Sequence, residues 1–209
     1  MRRRSLYGSV AVVLPIVTDS LAVHLDAGNI TSYPGNGNTW YDISGNAHDA
    51  TLSGIGFSTS NGGILLFDIN KYALGSIAMS MAPCTIVTWV KFNSVSGLQF
   101  LNNLGSGGKY QFGVYNGYMH DDLGATGNTL LIPNTWYMLT FTISSGGVGQ
   151  FYINSTLDKT GVVSLGGMSD KYVIGGYVAS PLVYSTYGSI AISMIYSKVL
   201  TQDEITQNF

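Results

Sequence analysis

Apolar and polar side chains alternate in short runs along most of this chain, and the runs are separated by clusters of Gly, Asn, Ser and Pro. That spacing predicts an antiparallel sandwich rather than strands alternating with helices. The cleanest run is 136–143: Tyr137, Leu139, Phe141 and Ile143 share one face at period two, and Trp136, Met138, Thr140 and Thr142 share the other. One face is expected in the core and the other half-wet. Residues 85–92 are β-branched or aromatic nearly throughout, which predicts a strand buried on both faces in its middle. Further strands are expected at 21–25, 64–68, 71–79, 98–104, 110–115, 118–120, 151–154, 172–176 and 189–196. Asn116-Gly117 between Tyr115 and Tyr118 suits a type I′ hairpin turn. Thr201-Gln202-Asp203-Glu204 reads as a capping box that opens a short terminal helix.

The stretch 25–52, LDAGNITSYPGNGNTWYDISGNAHDATL, breaks this rhythm. Pro34 presets φ, and Gly35, Asn36, Gly37 and Asn38 tolerate positive φ, so the backbone folds back tightly there. Asp42, Ser44 and Asn46 around Gly45 form a second turn. Their short polar side chains can accept from the amides that such a turn leaves without partners. The segment is expected to act as a clasp, with Trp40 as its plug.

Composition narrows the picture. A chain of 209 residues, 45% hydrophobic, can bury a sizeable core as one domain. Only 10% of residues are charged, against about 25% in an ordinary soluble domain. Such a surface suits contact with neighbouring proteins or with neutral ligands such as sugars, and a glycine-rich all-β fold lowers the charge count as well. The single cysteine, Cys84, excludes an internal disulfide.

Charge is unevenly placed. Arg2, Arg3 and Arg4 are the only arginines, and the remaining chain carries six lysines against eleven acids, a formal charge of −5. Three basic residues without interleaved aromatics make a poor phosphate-binding surface, so no nucleic-acid partner is expected. The apolar residues after the arginines imitate a signal peptide, but removing them by cleavage near Ala22 would cut into the run 21–25. Pro15 and Asp19 interrupt the stretch well short of the ~20 residues of a membrane span. Residues 1–18 are instead expected to be an N-terminal arm, and 19–209 the domain. Arg2, Arg3, Arg4, Leu6, Tyr7, Val12 and Leu14 are the candidate contacts to a neighbouring subunit. Addition of an edge strand to the chain's own sheet is the alternative.

The order LDAGN, SYPG, TWYDISGN, DATL in the clasp resembles the opening of laminin-G-like jelly-roll domains in the concanavalin A-like lectin and glucanase superfamily. The Phe-Asp pair after NGG, the segments TIVTWVKF, NTWYMLTFT and FYIN, and the tail IAISMIYSKVLTQDEITQNF also stand where that family places its strands and last helix. The resemblance spans about residues 21–209. It implies an all-β, concanavalin A-like jelly-roll β-sandwich of two antiparallel sheets with a short C-terminal helix. Two departures concern turns: Ile69 and Ser155 stand where the family usually has glycine.

A superfamily that holds both enzymes and lectins does not choose between them. Glycoside hydrolysis needs two carboxylates across the scissile bond. This chain has one glutamate, Glu204, already assigned to the capping box, and no aspartate pair at alternate strand positions. His24, His48 and His120 sit in no triad context, so no enzyme is expected. Calcium wants six to eight oxygens; Asp121 and Asp122 after the hairpin are the weak candidates, with Asp42 and Asp49 behind them. For a sugar, aromatic rings beside polar groups are required. Tyr110, Tyr115, Tyr118, His120 and Tyr177 are the candidate ligand-binding set, with Tyr184 and Tyr187 in an apolar loop after Pro181. Cross-strand aromatic pairing alone would also explain the tyrosines. Resembling domains occur in structural proteins of bacteriophages and large viruses. The expected function is therefore a non-enzymatic virion structural protein, a capsid decoration or tail-associated protein at the virion surface, docking on neighbouring subunits or on copies of itself through its arm. The alternative is a lectin-like carbohydrate-binding module for adhesion to a cell-surface glycan, extracellular or on the cell surface.

Overall fold

The computed structural model describes residues 15–105, 110–121, 125–165, 168–177 and 184–209, without the side chain of Tyr110. It is a sandwich of two antiparallel sheets. The first sheet takes β4 (Gly56–Ser58), β5 (Ile64–Phe67), β7 (Cys84–Phe92), β11 (Trp136–Ile143), β12 (Val148–Ile153), β13 (Thr156–Val162) and β15 (Gly188–Tyr196) in the order β13-β12-β11-β7-β15-β5-β4. β1 (Leu21–Asp26) also pairs with β15, beside the half that β5 leaves free. The second sheet takes β2 (Thr39–Trp40), β3 (Ala50–Ser53), β6 (Tyr72–Ser80), β8 (Leu98–Leu104), β9 (Tyr110–Tyr115), β10 (Tyr118–Asp121) and β14 (Met168–Ile174) in the order β10-β9-β8-β14-β6-β3-β2.

The space between the sheets is filled by the inward positions of every strand. Phe112 from the second sheet meets Phe141 and Phe151 from the first at ring-centroid separations of 5.4 and 6.2 Å, and Phe141 and Phe151 stand 5.0 Å apart. Such aromatic clusters tie two sheets together beyond the area they bury. One polar group crosses this core. Asn102 on β8 donates to Thr88 Oγ1 on β7 at 2.6 Å and accepts from Ser193 Oγ on β15 at 3.3 Å, so its amide is satisfied by the opposite sheet.

Nearly all the expected strands are present, and the capping box is complete: Thr201 Oγ1 accepts from the Glu204 amide, and the Glu204 carboxylate accepts from the Thr201 amide, opening α1 (Gln202–Asn208). The expectation of a half-wet face on β11 needs correction. Met138, Thr140 and Thr142 are buried, because α1 and the first described residues close the outer face of the first sheet. Val17, Leu21, Val87, Met138, Tyr152, Met194, Tyr196, Leu200 and Ile205 form a second core there. Val17 donates its amide to Asn208 Oδ1, Tyr196 donates its hydroxyl to the Val17 carbonyl, and Gln207 donates to the Pro15 carbonyl. Trp89 lies flat on Phe209 at 5.6 Å. Residues 15–17, at the end of the expected arm, are thus packed against the domain. Arg2, Arg3, Arg4, Leu6, Tyr7, Val12 and Leu14 lie outside the described residues.

The clasp forms as expected. Trp40 is fully buried, and Asp42 gathers four donors: the amides of His24 and Ser44 on Oδ1, the Ser44 hydroxyl and the His48 amide on Oδ2. Asp49 accepts the Asp42 amide, and Tyr172 on β14 donates its hydroxyl to the His48 carbonyl. These bonds fasten the clasp to both sheets.

Candidate functional site

α1 and the first described residues cover the outer face of the first sheet, and the middle of the second sheet's outer face is buried at Phe100, Asn103, Gln111 and Val173, so a ligand reaches that face at its β9–β10 edge, where Tyr115 is exposed and Tyr118 and His120 are half-buried. Which side chains stand on it follows from register. Leu98, Tyr115 and Tyr118 form one cross-strand row over β8, β9 and β10; Phe100, Gly113 and His120 form the next. A bulge between Phe100 and Asn102 turns Leu101 and Asn102 to the core and places Asn103 beside Gln111 on the outer face. Val173 of β14 and Leu74 of β6 continue that row.

The hairpin β9–β10 presents the aromatic part. Asn116 and Gly117 take φ of 49° and 84°, the left-handed pair that a type I′ turn needs. This tight reversal sets Tyr115 opposite Tyr118. Tyr115 is 48% exposed, and its ring stands 5.7 Å from that of His120, tilted by 45°. His120 Nδ1 is 3.2 Å from Thr126 Oγ1, and the backbone of Thr126 bridges His120. The imidazole is therefore held upright beside the tyrosine. Asn103 and Gln111 are buried amides on the same face, and Asn103 Oδ1 has no hydrogen-bond partner among the described residues.

The far wall is built by residues 184–187. The Tyr184 carbonyl accepts the Phe100 amide, Thr186 donates to the Phe100 carbonyl, and the Tyr187 amide donates to Gln99 Oε1. Tyr184 sits at φ +58° and meets Phe100 edge-on at 5.6 Å. A left-handed tyrosine is uncommon, and the two bonds to Phe100 are what hold it there.

The structure thus brings Tyr115, Tyr118 and His120 together on one face. Tyr110 lies on the same strand, its side chain outside the described set. Tyr177 follows β14, a strand that β8 separates from β9. Tyr184, noted in the sequence only as a loop tyrosine, joins the face because its segment crosses Phe100. No local pattern announced that, since the contact joins positions 84 residues apart.

The acidic candidates lie elsewhere. Asp121 is turned inward by the strand alternation that turns His120 outward. It is buried, and its Oδ1 accepts the Ala125 amide, closing the loop that follows β10. Asp122 lies outside the described residues. Asp42 and Asp49 are engaged by the clasp amides. Among the described residues, no three His, Cys, Asp or Glu side chains gather as metal ligands would. Glu204 accepts from Lys198, which also binds Asp19, both at 2.6 Å, and the ammonium group holds both carboxyls below their usual range. His24 is held below its ordinary value by burial, against the pull of Asp26 and Asp42. Cys84 is buried between the sheets, which pushes its thiol up to about 12 and away from nucleophilic use. No helix among the described residues is long and apolar enough to cross a membrane.

A family model described as the concanavalin A-like lectin/glucanases superfamily, of laminin-G type, matches residues 70–206. No curated protein sequence gives a significant match. Among solved structures, the fold is similar to domain 4 of AbnA, a GH43 extracellular arabinanase from Geobacillus stearothermophilus, in complex with arabinotriose. The TM-score is 0.70 at 15% identity, covering 90% of this chain and 98% of that one. It is similar as well to Trypanosoma rangeli sialidase in complex with sialic acid (TM-score 0.69, 14% identity, 94% of this chain and 35% of that one). The binding domain of botulinum neurotoxin serotype D is a third likeness (TM-score 0.65, 16% identity, 91% and 51%). The chain therefore spans almost all of the arabinanase domain, about a third of the sialidase and about half of the neurotoxin binding domain. At these identities the likeness is one of fold.

Proposed function

The chain belongs to the concanavalin A-like lectin/glucanase superfamily, and from that premise we propose that it is a non-catalytic module that binds a glycan on the outer face of its second sheet. The observation that carries this reading is the placement of Tyr115, exposed and tilted against His120, at the accessible β9–β10 edge of the second sheet's outer face, whose middle is buried. A tyrosine ring offers a flat apolar surface to the C–H face of a sugar while its hydroxyl stays in water. His120 and Thr126 supply neighbouring polar atoms for hydroxyls. Binding rather than hydrolysis is favoured because the lone glutamate is engaged in the cap of α1 and Asp121 is turned inward and closes a loop, so neither joins a carboxylate pair on this surface. The arabinanase domain bound to arabinotriose lends the reading support through fold, and an extracellular or surface setting accords with it.

A broad glycan array probed with the full chain and with Tyr115→Ala and Tyr118→Ala tests the proposal. Removing the Tyr115 ring is expected to weaken binding about 30-fold, equivalent to about 2 kcal/mol, at an unchanged melting temperature. Failure of the unaltered chain to bind any glycan would sink it.

A second reading, a virion surface protein that docks on neighbouring subunits through residues 1–14, rests on the sequence resemblance and on one structural observation. Residues 15–17 are pinned to α1, so whatever precedes them leaves from a fixed point on the closed face. The two readings are compatible in one molecule.

A further inference from the structure

One end of the sandwich gathers five loops: 68–71, 93–97, 116–117, 128–135 and 184–187. Hydrogen bonds donated by backbone amides stitch them together. The Asn70 amide donates to Ser185 Oγ at 3.1 Å, Asn93 to the Tyr187 carbonyl at 2.9 Å, Asn116 to the Gly97 carbonyl at 2.9 Å, and Leu131 to the Gly117 carbonyl at 2.7 Å. Asn134 donates to the Phe92 carbonyl, and Ile132 donates to the Tyr137 hydroxyl. These tips are consequently held in a fixed array.

Their large exposed side chains are apolar or aromatic. Ile69 is 76% exposed, Ile132 63% and Leu130 55%, and each is a large aliphatic side chain at a loop tip. Exposed Tyr115, Tyr184 and Tyr187 stand beside them. Within the five loops the charged side chains are Asp68 and Lys71 alone. Lys91 lies just behind, on the first sheet, its ammonium 5.6 Å from the centre of the Trp136 ring, and no carboxylate of the described residues pairs with it.

We propose that this end of the molecule seats in the interfacial zone of a lipid bilayer, with Ile69, Leu130 and Ile132 entering the acyl boundary and the tyrosines at headgroup depth. Three features select a bilayer over a protein. The aliphatic groups stand on two separate loops rather than along one strand or helix, so they meet a deformable apolar medium without needing a shaped counterpart. The aromatic side chains nearby are amphipathic ones, the type that partitions to the membrane–water boundary. The charge near the tips is almost nil, with Lys91 placed at the level of headgroup phosphates, so attachment is by apolar insertion and not by attraction to anionic lipid. Membrane seating does not depend on glycan recognition; the two surfaces share Tyr115 and the 184–187 segment, and Ile69, Leu130 and Ile132 belong to the loop tips alone.

Co-sedimentation of the full chain with vesicles of pure phosphatidylcholine, which carry no glycan, tests it. The unaltered chain is expected to partition to the vesicles in high salt. L130S/I132S is expected to weaken partitioning about a hundredfold, about tenfold for each aliphatic side chain withdrawn. I69S, from a separate loop, is expected to weaken it about tenfold. V162S removes an equally exposed apolar side chain from the opposite end and is expected to change nothing. All four positions are exposed, so equal melting temperatures confirm that folding is intact. The proposal is overturned if the unaltered chain stays in the supernatant, if V162S matches the loop variants, or if only anionic vesicles bind and high salt releases them. It is also overturned if the unaltered chain self-associates and L130S/I132S does not, which would make this end a protein interface.

Discussion

Ser155 holds φ +67° at the second position of the two-residue turn joining β12 to β13, and Asn154 before it holds φ +50°. Asparagine tolerates that conformation; a serine there sets its Cβ against the backbone at a cost of about 1 kcal/mol. Ser155→Gly is expected to raise stability by about 0.5–1 kcal/mol, a melting temperature higher by about 2 °C, measured by calorimetry. The sequence marked positions 69 and 155 as turns lacking glycine. At the first of these the left-handed residue is Asn70 and not Ile69, so the turn is displaced by one residue and Ile69 is left projecting into solvent. Residue identity alone did not show that displacement. It depends on how the β5–β6 connection closes, with the Lys71 amide bonded to the Asp68 carbonyl.

The clasp between β1 and β3 is an element whose role was legible in the sequence, because turn residues of this density must find partners for their amides. Its chemistry centres on Asp42, which accepts from three amides and one hydroxyl. Asp42→Ala is expected to destabilise the fold by about 3 kcal/mol, since each donor loses a charged acceptor and the His24 amide is partly buried. Chemical denaturation would show the loss as a lower midpoint at an unchanged slope. The pattern missed four strands, the short β2, β3 and β4 and the longer β13. Thr156, Leu157, Asp158, Lys159, Thr160, Gly161 and Val162 show no apolar alternation, because this is an edge strand with both faces largely wet, and its place is decided by pairing with β12 alone. β14 begins earlier than expected for a related reason: Met168, Ser169 and Lys171 are held by their pairing to β6, around a bulge at Asp170, and carry no strand pattern of their own.

At the scale of the whole molecule, the two outer faces have different fates. The first is closed by α1, Val17 and Tyr196, and the second is buried in its middle and accessible at the β9–β10 edge that carries Tyr115 and Tyr118. The role of residues 1–14 belongs to this scale. Because Val17 sits in the second core, the informative truncation begins at Pro15 and leaves that core intact. If the preceding residues are an assembly device, light scattering of the full chain is expected to give an oligomer and the truncated chain a folded monomer; equal masses would exclude self-assembly through them. What the sequence by itself determined was the fold class, the order of most strands, the Asn116-Gly117 hairpin, the clasp and the capping box, all set by period-two alternation or by turn chemistry within a few residues. Only the tertiary structure decided which edge of the second sheet remains accessible, that Tyr184 crosses Phe100 to join Tyr115 and His120, that Asp121 turns inward, and that loops from 68 to 187 gather their aliphatic tips at one end. Those outcomes depend on pairings between strands far apart in the chain, and a local pattern of residues carries no information about which distant strand its neighbour will be.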